Sequence, residues 1–434
     1  MEVAVESSKA RRVAFAGCVI VAAFLIAQVA WVWRANADID AQDPRSIARG
    51  AHLIPGNAEA WDRLGRFRQW NFASSDPAGA LRDYQRAVRD LPLSSYYWID
   101  LAIAYEQTGN VGKANDAFQR AGAEYPTSAE VAWQYGNFLL RQHQVRNGLD
   151  EVHRAVSVDP ALTPLAISRV WFSTNDVNVL LDRALPATVA AYFQALDFFL
   201  SRHDADSGLV VWNRLVALNQ RFALATSFPL LDALISGDRQ ADTTKVWLEA
   251  IRASGSTYEP PLVSSLIWNW RFADPFTNGG LGWRWDSPVG VEINFDQPRI
   301  AVPARSVRLD FGGGNNTDLD APFEYVAVQP NTVYRFTAYL KTEAISTESG
   351  IRFAISDPNH GGAVDVTTDN LIGTNPWTEA KADVITGPQT HFLVLRLYRP
   401  PSRLFDNKLS GTAWIADVSL KPSIASIEQE SSKP

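Results

Sequence analysis

The chain has 434 residues, is 46% hydrophobic and 20% charged, and carries a formal net charge of −7. That composition sets disorder aside as the default, and the length gives room for two or three domains. The acidic balance argues against a nucleic-acid partner, whose affinity rests on many Lys and Arg contacts to phosphate. The lone cysteine, Cys18, rules out an intramolecular disulfide and a cysteine metal cluster.

The first element is apolar. Val13 to Trp33 is a run without a formal charge, with Gln28 its only strongly polar member. At ~1.5 Å per residue it is long enough for a hydrocarbon core of ~30 Å. Trp31 and Trp33 sit at the far end, where indoles favour the headgroup region. Lys9, Arg11 and Arg12 precede the run. Residues 1–12 are therefore expected as a cytoplasmic tail, 13–33 as a retained transmembrane helix in the bilayer, and 34–43 as a linker. Ala35-Asn36-Ala37 has the small-x-small form of a signal-peptidase site, so cleavage is the competing expectation. The apolar run exceeds the ~7–15 residues of a signal core, which favours retention. Phe15-Ala16-Gly17-Cys18 is no lipobox, because the apolar stretch follows the cysteine.

A repeat follows. Trp98, Leu101, Ala102 and Tyr105 are succeeded by Ala114, Phe118, Ala121 and Pro126. Thirty-four residues on, the same slots hold Ala132, Tyr135, Gly136, Leu139, Gly148, Val152, Ala155 and Pro160. Upstream, Trp61, Leu64 and Gly65 lead to Ala80, Tyr84, Ala87 and Pro92, with three extra residues in the turn. This spacing resembles the tetratricopeptide (TPR) family over residues 58–160. The resemblance implies helix hairpins: small residues where two helices approach, large ones in the seam, and a proline ending each second helix. Ala187–Arg202, Ser207–Leu218, Leu230–Ser236 and Asp242–Ala253 continue as amphipathic helices, so the solenoid is expected over 44–256, degenerate after 160.

On the first helix of each hairpin, one face carries Arg66, Gln69, Trp70, Tyr96, Ile103, Glu106, Gln107, Trp133, Asn137 and Arg141. TPR families commonly bind peptides or partner proteins there, so an envelope protein is the expected partner. Trp70, Tyr96 and Trp133 are read either as anchors on that groove or as packing between neighbouring helices.

After a linker at 257–264 the period becomes alternating. Val307-Leu309-Phe311, Tyr334-Phe336-Ala338-Leu340, Ile351-Phe353-Ile355 and Leu393-Leu395-Leu397 read as strands separated by Gly-, Pro- and Asn-rich turns. An antiparallel β-sandwich over 265–422 and a disordered tail over 423–434 are expected. The fold class is thus multidomain, α then β: transmembrane helix, all-α solenoid, β-sandwich.

Asn269-Trp270-Arg271-Phe272, Gly282-Trp283-Arg284-Trp285, the strand Val328 to Tyr339 and the strand Trp414 to Leu420 together resemble galactose-binding-like jelly rolls of carbohydrate-binding modules. That resemblance implies a glycan ligand. Candidates to stack on or hydrogen-bond to sugar are Trp283, Trp285, Arg335, Tyr339, Trp377, Arg396 and Tyr398, with a core or loop-plug role as the alternative for Trp283, Trp285 and Trp414. Such domains often hold a structural Ca²⁺, for which Asp318, Asp320 and Asp417 are the available carboxylates; no other cofactor is expected. The layout resembles bacterial exopolysaccharide or cell-envelope assembly components, placed in the cytoplasmic membrane with the bulk periplasmic.

No GxSxG, HExxH, Walker A or dinucleotide fingerprint occurs, and the six histidines are dispersed. A non-enzymatic scaffold is the expectation. The alternative is a glycoside-active enzyme whose carboxylates meet only in space.

Overall fold

The computed structural model describes residues 8–41, 43–71, 75–261, 265–296 and 305–423. Helices come first and antiparallel strands second. The chain divides into two compact units, Met1–Pro186 and Ala187–Pro434. The division falls inside the helical region, so the last helices belong with the strands.

The first unit opens on α1, Ser8–Ile39, and α2, Pro44–Leu53. α1 contains the only helix among the described residues long and apolar enough to cross a membrane. It does not stop at the end of the apolar run. It continues to Ile39, and its last turns pack on α2, with Ala35 and Ile39 buried. The expected linker at 34–43 is therefore corrected: most of it is helix, and it closes the first hairpin. Three local features make this so. Arg34 and Asp38 pair at i,i+4 (3.2 Å). Asp43 accepts from the amides of Arg45 and Ser46 at 3.0 Å each and starts α2 at Pro44. Gly50 lets the two backbones touch, since a Cβ there would lie 2.7 Å from the Ala35 carbonyl oxygen. Gly50→Val should wedge the hairpin open at a cost of about 1–3 kcal/mol. Faster proteolysis between residues 39 and 44 of the detergent-solubilised chain would report it.

Hairpins then repeat: α3 (Ala58–Trp70) with α4 (Pro77–Asp90), α5 (Ser95–Gln107) with α6 (Val111–Glu124), and α7 (Ala129–Arg141) with α8 (Val145–Val158). The small residues do what the spacing predicts. A Cβ on Gly65 would meet the Tyr84 ring at 2.8 Å, and one on Gly148 would meet Leu140 at 2.9 Å. Pro92 and Pro126 follow the second helices of their hairpins, where the missing N–H stops the hydrogen-bond ladder. Phe118, Tyr135 and Phe138 fill a seam as a ring stack, with centroids 5.0 to 6.3 Å apart. After α8 come a 3-10 turn at Pro160–Leu162, α9 (Thr163–Thr174), the short α10 (Val177–Val179) and a π-helical turn at Leu180–Ala184.

The second unit holds α11 (Val189–Ser201), α12 (Ala205–Ala217), α13 (Phe228–Ser236) and α14 (Gln240–Ser254), followed, among the described residues, by nine strands. One sheet has the order β1 (Val291–Asp296), β2 (Ser306–Gly312), β9 (Ser410–Pro422), β4 (Val333–Ile345) and β7 (Gly373–Ile385). The other runs β3 (Phe323–Ala327), β8 (Phe392–Tyr398), β5 (Arg352–Ser356) and β6 (Asp365–Thr367). Every pair is antiparallel. Alternate residues of both sheets form one core, from Val307, Leu309 and Phe311 to Leu393, Leu395 and Leu397.

Helices α13 and α14 dock on the segment leading into the sandwich. Gly279 and Gly280 make room for them: a Cβ on Gly279 would overlap the Phe228 ring, and one on Gly280 the Trp247 ring. Trp247 meets Trp268 edge-on at 5.7 Å. Asp232 pairs with Arg284 at 2.6 Å, and Asp238 pairs with His391 at 2.6 Å.

Candidate functional site

Two surfaces collect the predicted side chains, one in each unit. The first is the face of α3, α5 and α7. These helices occupy equivalent places in successive hairpins, and their polar side chains bridge one repeat to the next. Gln69 Nε2 donates to Gln107 Oε1 at 2.8 Å, and the Tyr84 hydroxyl donates to Gln69 Oε1 at 2.6 Å. Arg141 grips Glu106 with two bonds of 2.9 and 2.7 Å. Asn137 is buried and turns its amide back to the Trp133 carbonyl at 2.8 Å. Much of the predicted polar set thus pairs with itself, which fixes the groove's shape as well as its charge.

The strongest electrostatic feature of this face was not in the predicted set. Asp62 is fully buried and pairs with Arg66, whose Nε also lies 3.4 Å from Asp100. Burial, and then the neighbouring Asp62 carboxylate, push the Asp100 carboxyl up to about 7. Asp62 Oδ1 has no hydrogen-bond partner. The sequence signal was present: Asp62 and Asp100 sit one and two places after the signature tryptophans Trp61 and Trp98. An acid beside a core tryptophan reads as solvated until the neighbouring repeat is stacked on it.

Trp70 and Tyr96 are 58% and 60% exposed, while Trp133 is half-buried. Trp70 ends α3 and Tyr96 begins α5, so they stand at opposite ends of the face, roughly 16 Å apart along the helix axes. Near the Trp70 end a hollow of about 360 Å³ opens between Ala41, Ile47, Arg63, Arg66 and Phe67.

The second surface belongs to the sandwich, and here the predicted set divides. Trp283 is fully buried in the core, its Nε1 donating to the Trp268 carbonyl at 3.1 Å. It is corrected from ligand candidate to core residue: no sugar face can reach it. Trp285 is partly buried against the same core, and Trp377 is half-buried on β7. Arg335 and Tyr339 share the outward face of β4, and Arg396 and Tyr398 that of β8. Those strands lie in different sheets, however, so the four residues occupy opposite outer faces and cannot form one platform. Arg396 is held by Asp320 at 3.1 Å, and Arg335 by Asp383 at 3.1 Å.

The face of the five-stranded sheet has its own centre, Trp414. Its neighbours Ala413 and Ile415 are buried, so Trp414 points outward. Its Nε1 donates to Asp296 Oδ2 at 2.9 Å, and Lys341 stands over one ring face at 4.2 Å. Arg308 ties Asp296 to Asp310 at 2.9 Å each. Trp414 is paired with Lys341, two places from Tyr339, which puts the two aromatics on a diagonal of roughly 7–8 Å. Alternation with Ala413 and Ile415 was the signal that could have found it.

The outer side of the other sheet lies partly under α14. There a cavity of about 380 Å³ is lined by Leu248, Leu266, Trp268, Leu281 and Tyr325, with Gln240, Thr244 and Gln329 also in its wall. At the far end of the sandwich the buried Arg399 gathers three loops. It donates to Ser349 O at 2.9 Å, Asn316 Oδ1 at 3.3 Å and Thr347 Oγ1 at 3.1 Å, and also to the Thr317 carbonyl.

Among the described residues, no three His, Cys, Asp or Glu side chains converge as a metal site. Of the Ca²⁺ candidates, Asp318 and Asp320 are neighbours and Asp417 is on β9. Asp320 is spent on Arg396, Asp318 is exposed, and Asp417 lies at a left-handed position of β9 (φ 49°) with Arg271 as its charged neighbour.

Fold and surfaces together define a helical-repeat protein with an antiparallel β-sandwich. No family model matches the chain, and no curated protein matches it. Among solved structures it is similar to MamA, at 16% identity over 42% of this chain and 90% of that one, with a TM-score of 0.27. It is also similar to YrrB, described as a TPR protein with an unusual peptide-binding site, at 14% identity over 45% and 81%, with a TM-score of 0.25. A third likeness is to the enzymatically active domain of bacteriophage CBA120 tailspike protein 4, at 13% identity over 32% of this chain and 19% of that one, with a TM-score of 0.25. These likenesses are partial, and the hairpin assignment rests on the chain's own 34-residue period.

Proposed function

We propose that this chain is a membrane-anchored, non-enzymatic scaffold. The face of α3, α5 and α7 takes an extended segment of a partner protein, and the five-stranded sheet face takes a glycan of the cell envelope. The observation that carries the reading is the groove itself. Paired side chains run from repeat to repeat and hold its floor rigid, while two large aromatics stay exposed at its ends. A preorganised floor lowers the ordering cost of binding, and exposed Trp and Tyr are the usual anchors of such contacts. α1 is read as the retained anchor, with the bulk of the chain on the periplasmic side of a bacterial inner membrane. Cleavage after Ala37 would strip from the first hairpin the buried Ala35, whose carbonyl Gly50 approaches closely, which supports retention.

A photo-crosslinking residue at position 70 or 96 of the full chain, in its own cells, should capture one discrete protein. The same residue at Arg120, outside the groove set, should not. Equal capture at all three positions, or capture at 70 that survives Tyr96→Ala combined with Arg141→Glu, would remove the groove reading.

For the glycan, Trp414 and Tyr339 supply stacking faces, Arg308 and Asp310 are the polar groups beside Trp414, and Arg335 lies further along β4 on the same face. Trp414→Ala should lower retention of the chain on immobilised envelope polysaccharide at least tenfold. Retention that is unchanged would reassign this face to protein contact.

A further inference from the structure

The turns of the first unit are of two kinds. Those leading from the first helix of a hairpin to the second are polar, Thr108-Gly109-Asn110 and Gln142-His143-Gln144, and each is followed by a single valine, Val111 (40% exposed) and Val145 (36% exposed). Those leading to the next hairpin are apolar: Leu53-Ile54-Pro55-Gly56, Leu91-Pro92-Leu93 and Tyr125-Pro126. The later apolar ones are also bare, while Leu53 and Ile54 are half-buried. Leu91 is 48% exposed, Leu93 71%, Tyr125 50% and Val158 50%. Water-facing turns have no packing reason to carry such residues in series.

The position of α1 gives the reason. α1 runs out of its apolar run into the first hairpin, and α2 returns antiparallel beside it. The Trp31 indole, at the end of the apolar run, donates to the Leu53 carbonyl at 3.2 Å. The turn after α2 is therefore level with the tryptophan belt, where the apolar run ends. Every later turn between hairpins lies on that same edge of the solenoid, because each hairpin repeats the up-and-down path of the first.

We infer that this edge rests on the lipid bilayer. Leu53, Ile54, Leu91 and Leu93 enter the interface, and Tyr125 and Val158 follow less deeply as the solenoid's twist turns the later repeats away. The inference rests on the reading of α1 as a retained anchor. With that anchor continuous with a hairpin, the groove is presented at a set attitude to the membrane and not on a tether. The charges flanking the turns are of both signs (Arg89, Asp90, Asp159), so the contact is apolar insertion and needs no anionic headgroup.

The test uses the full chain reconstituted in phosphatidylcholine vesicles, with and without doxyl-labelled phosphatidylcholine as quencher. An environment-sensitive dye on the native Cys18 reports the span. In a Cys18→Ser background, the same dye on Leu93→Cys reports the edge, and on Val111→Cys the opposite edge. The expected result is strong quenching at Cys18, quenching at 93 at least threefold that at 111, and no change between low and high salt. Quenching at 18 with equal signals at 93 and 111 would leave the anchor standing and overturn the edge contact. No quenching at 18 would overturn both. Quenching at 93 that salt abolishes would show a contact held by charge, contrary to the proposal.

Discussion

Trp283→Ala should destabilise the sandwich by about 3–5 kcal/mol, the range for removing a large aromatic from a packed core. The side chain is fully buried between Phe272 and Phe276, with ring centroids 5.2 and 6.2 Å away. Its removal also leaves the Trp268 carbonyl without its 3.1 Å donor. The cavity would open beneath the segment on which α13 and α14 dock, so the loss should spread into those helices. Urea unfolding of the full chain, followed by far-ultraviolet circular dichroism, would read it as a transition moved to much lower denaturant. Trp414→Ala is the matched comparison. That ring is only partly buried, its replacement removes a Lys341 contact and an Asp296 hydrogen bond of order ~1 kcal/mol each, and the transition should move clearly less than for Trp283→Ala. Equal losses for the two tryptophans would mean that the outward assignment of Trp414 is mistaken.

These two tryptophans mark where the sequence was readable and where it was not. Helical hairpins were legible from Pro92, Pro126 and Pro160, because a break that recurs every 34 residues has few other causes. The alternation of Val307, Leu309 and Phe311, or of Leu393, Leu395 and Leu397, located strands because one side of each is core. β7 was not legible, since its residues are mostly exposed or half-exposed and carry no clean period. Nor could sheet membership be read. β4 and β8 each showed an outward Arg and Tyr, but only non-local pairing puts β4 beside β9 and β8 beside β3 and β5.

The continuation of α1 was hidden for a different reason. Ala35, Asn36, Ala37 and Asp38 suit a cleavage site, a linker or a helix equally well. What decides is the partner surface, where Gly50 and Ile47 wait further down the chain. Asp62 and Asp100 were missed likewise, because an acid becomes costly only after the neighbouring repeat covers it.

The second large effect concerns pH. Glu324 lies on the inward side of β3 and is fully buried among the core residues of the sandwich. Its Oε1 accepts from the Trp268 amide at 2.8 Å, and its Oε2 has no hydrogen-bond partner. Burial raises its pKa well above the ordinary carboxylate value, only partly offset by that one amide. The sign follows from linkage. Below about pH 4.3 the side chain is protonated in both folded and unfolded chains, and it costs nothing extra. Above that, the unfolded chain releases the proton while the folded chain keeps it, so stability falls by about 1.4 kcal/mol per pH unit until the raised value is reached. Glu324→Gln keeps the oxygen that accepts from Trp268 and removes the titration. The variant and the parent should therefore unfold at similar urea concentrations at pH 4. At pH 8 the variant should be clearly the more stable. Asp100, also raised, titrates in both proteins and cancels in the difference. Parallel pH profiles for parent and variant between 4 and 8 would mean that Glu324 is solvated in the folded chain, and that the core around Trp268 is open to water.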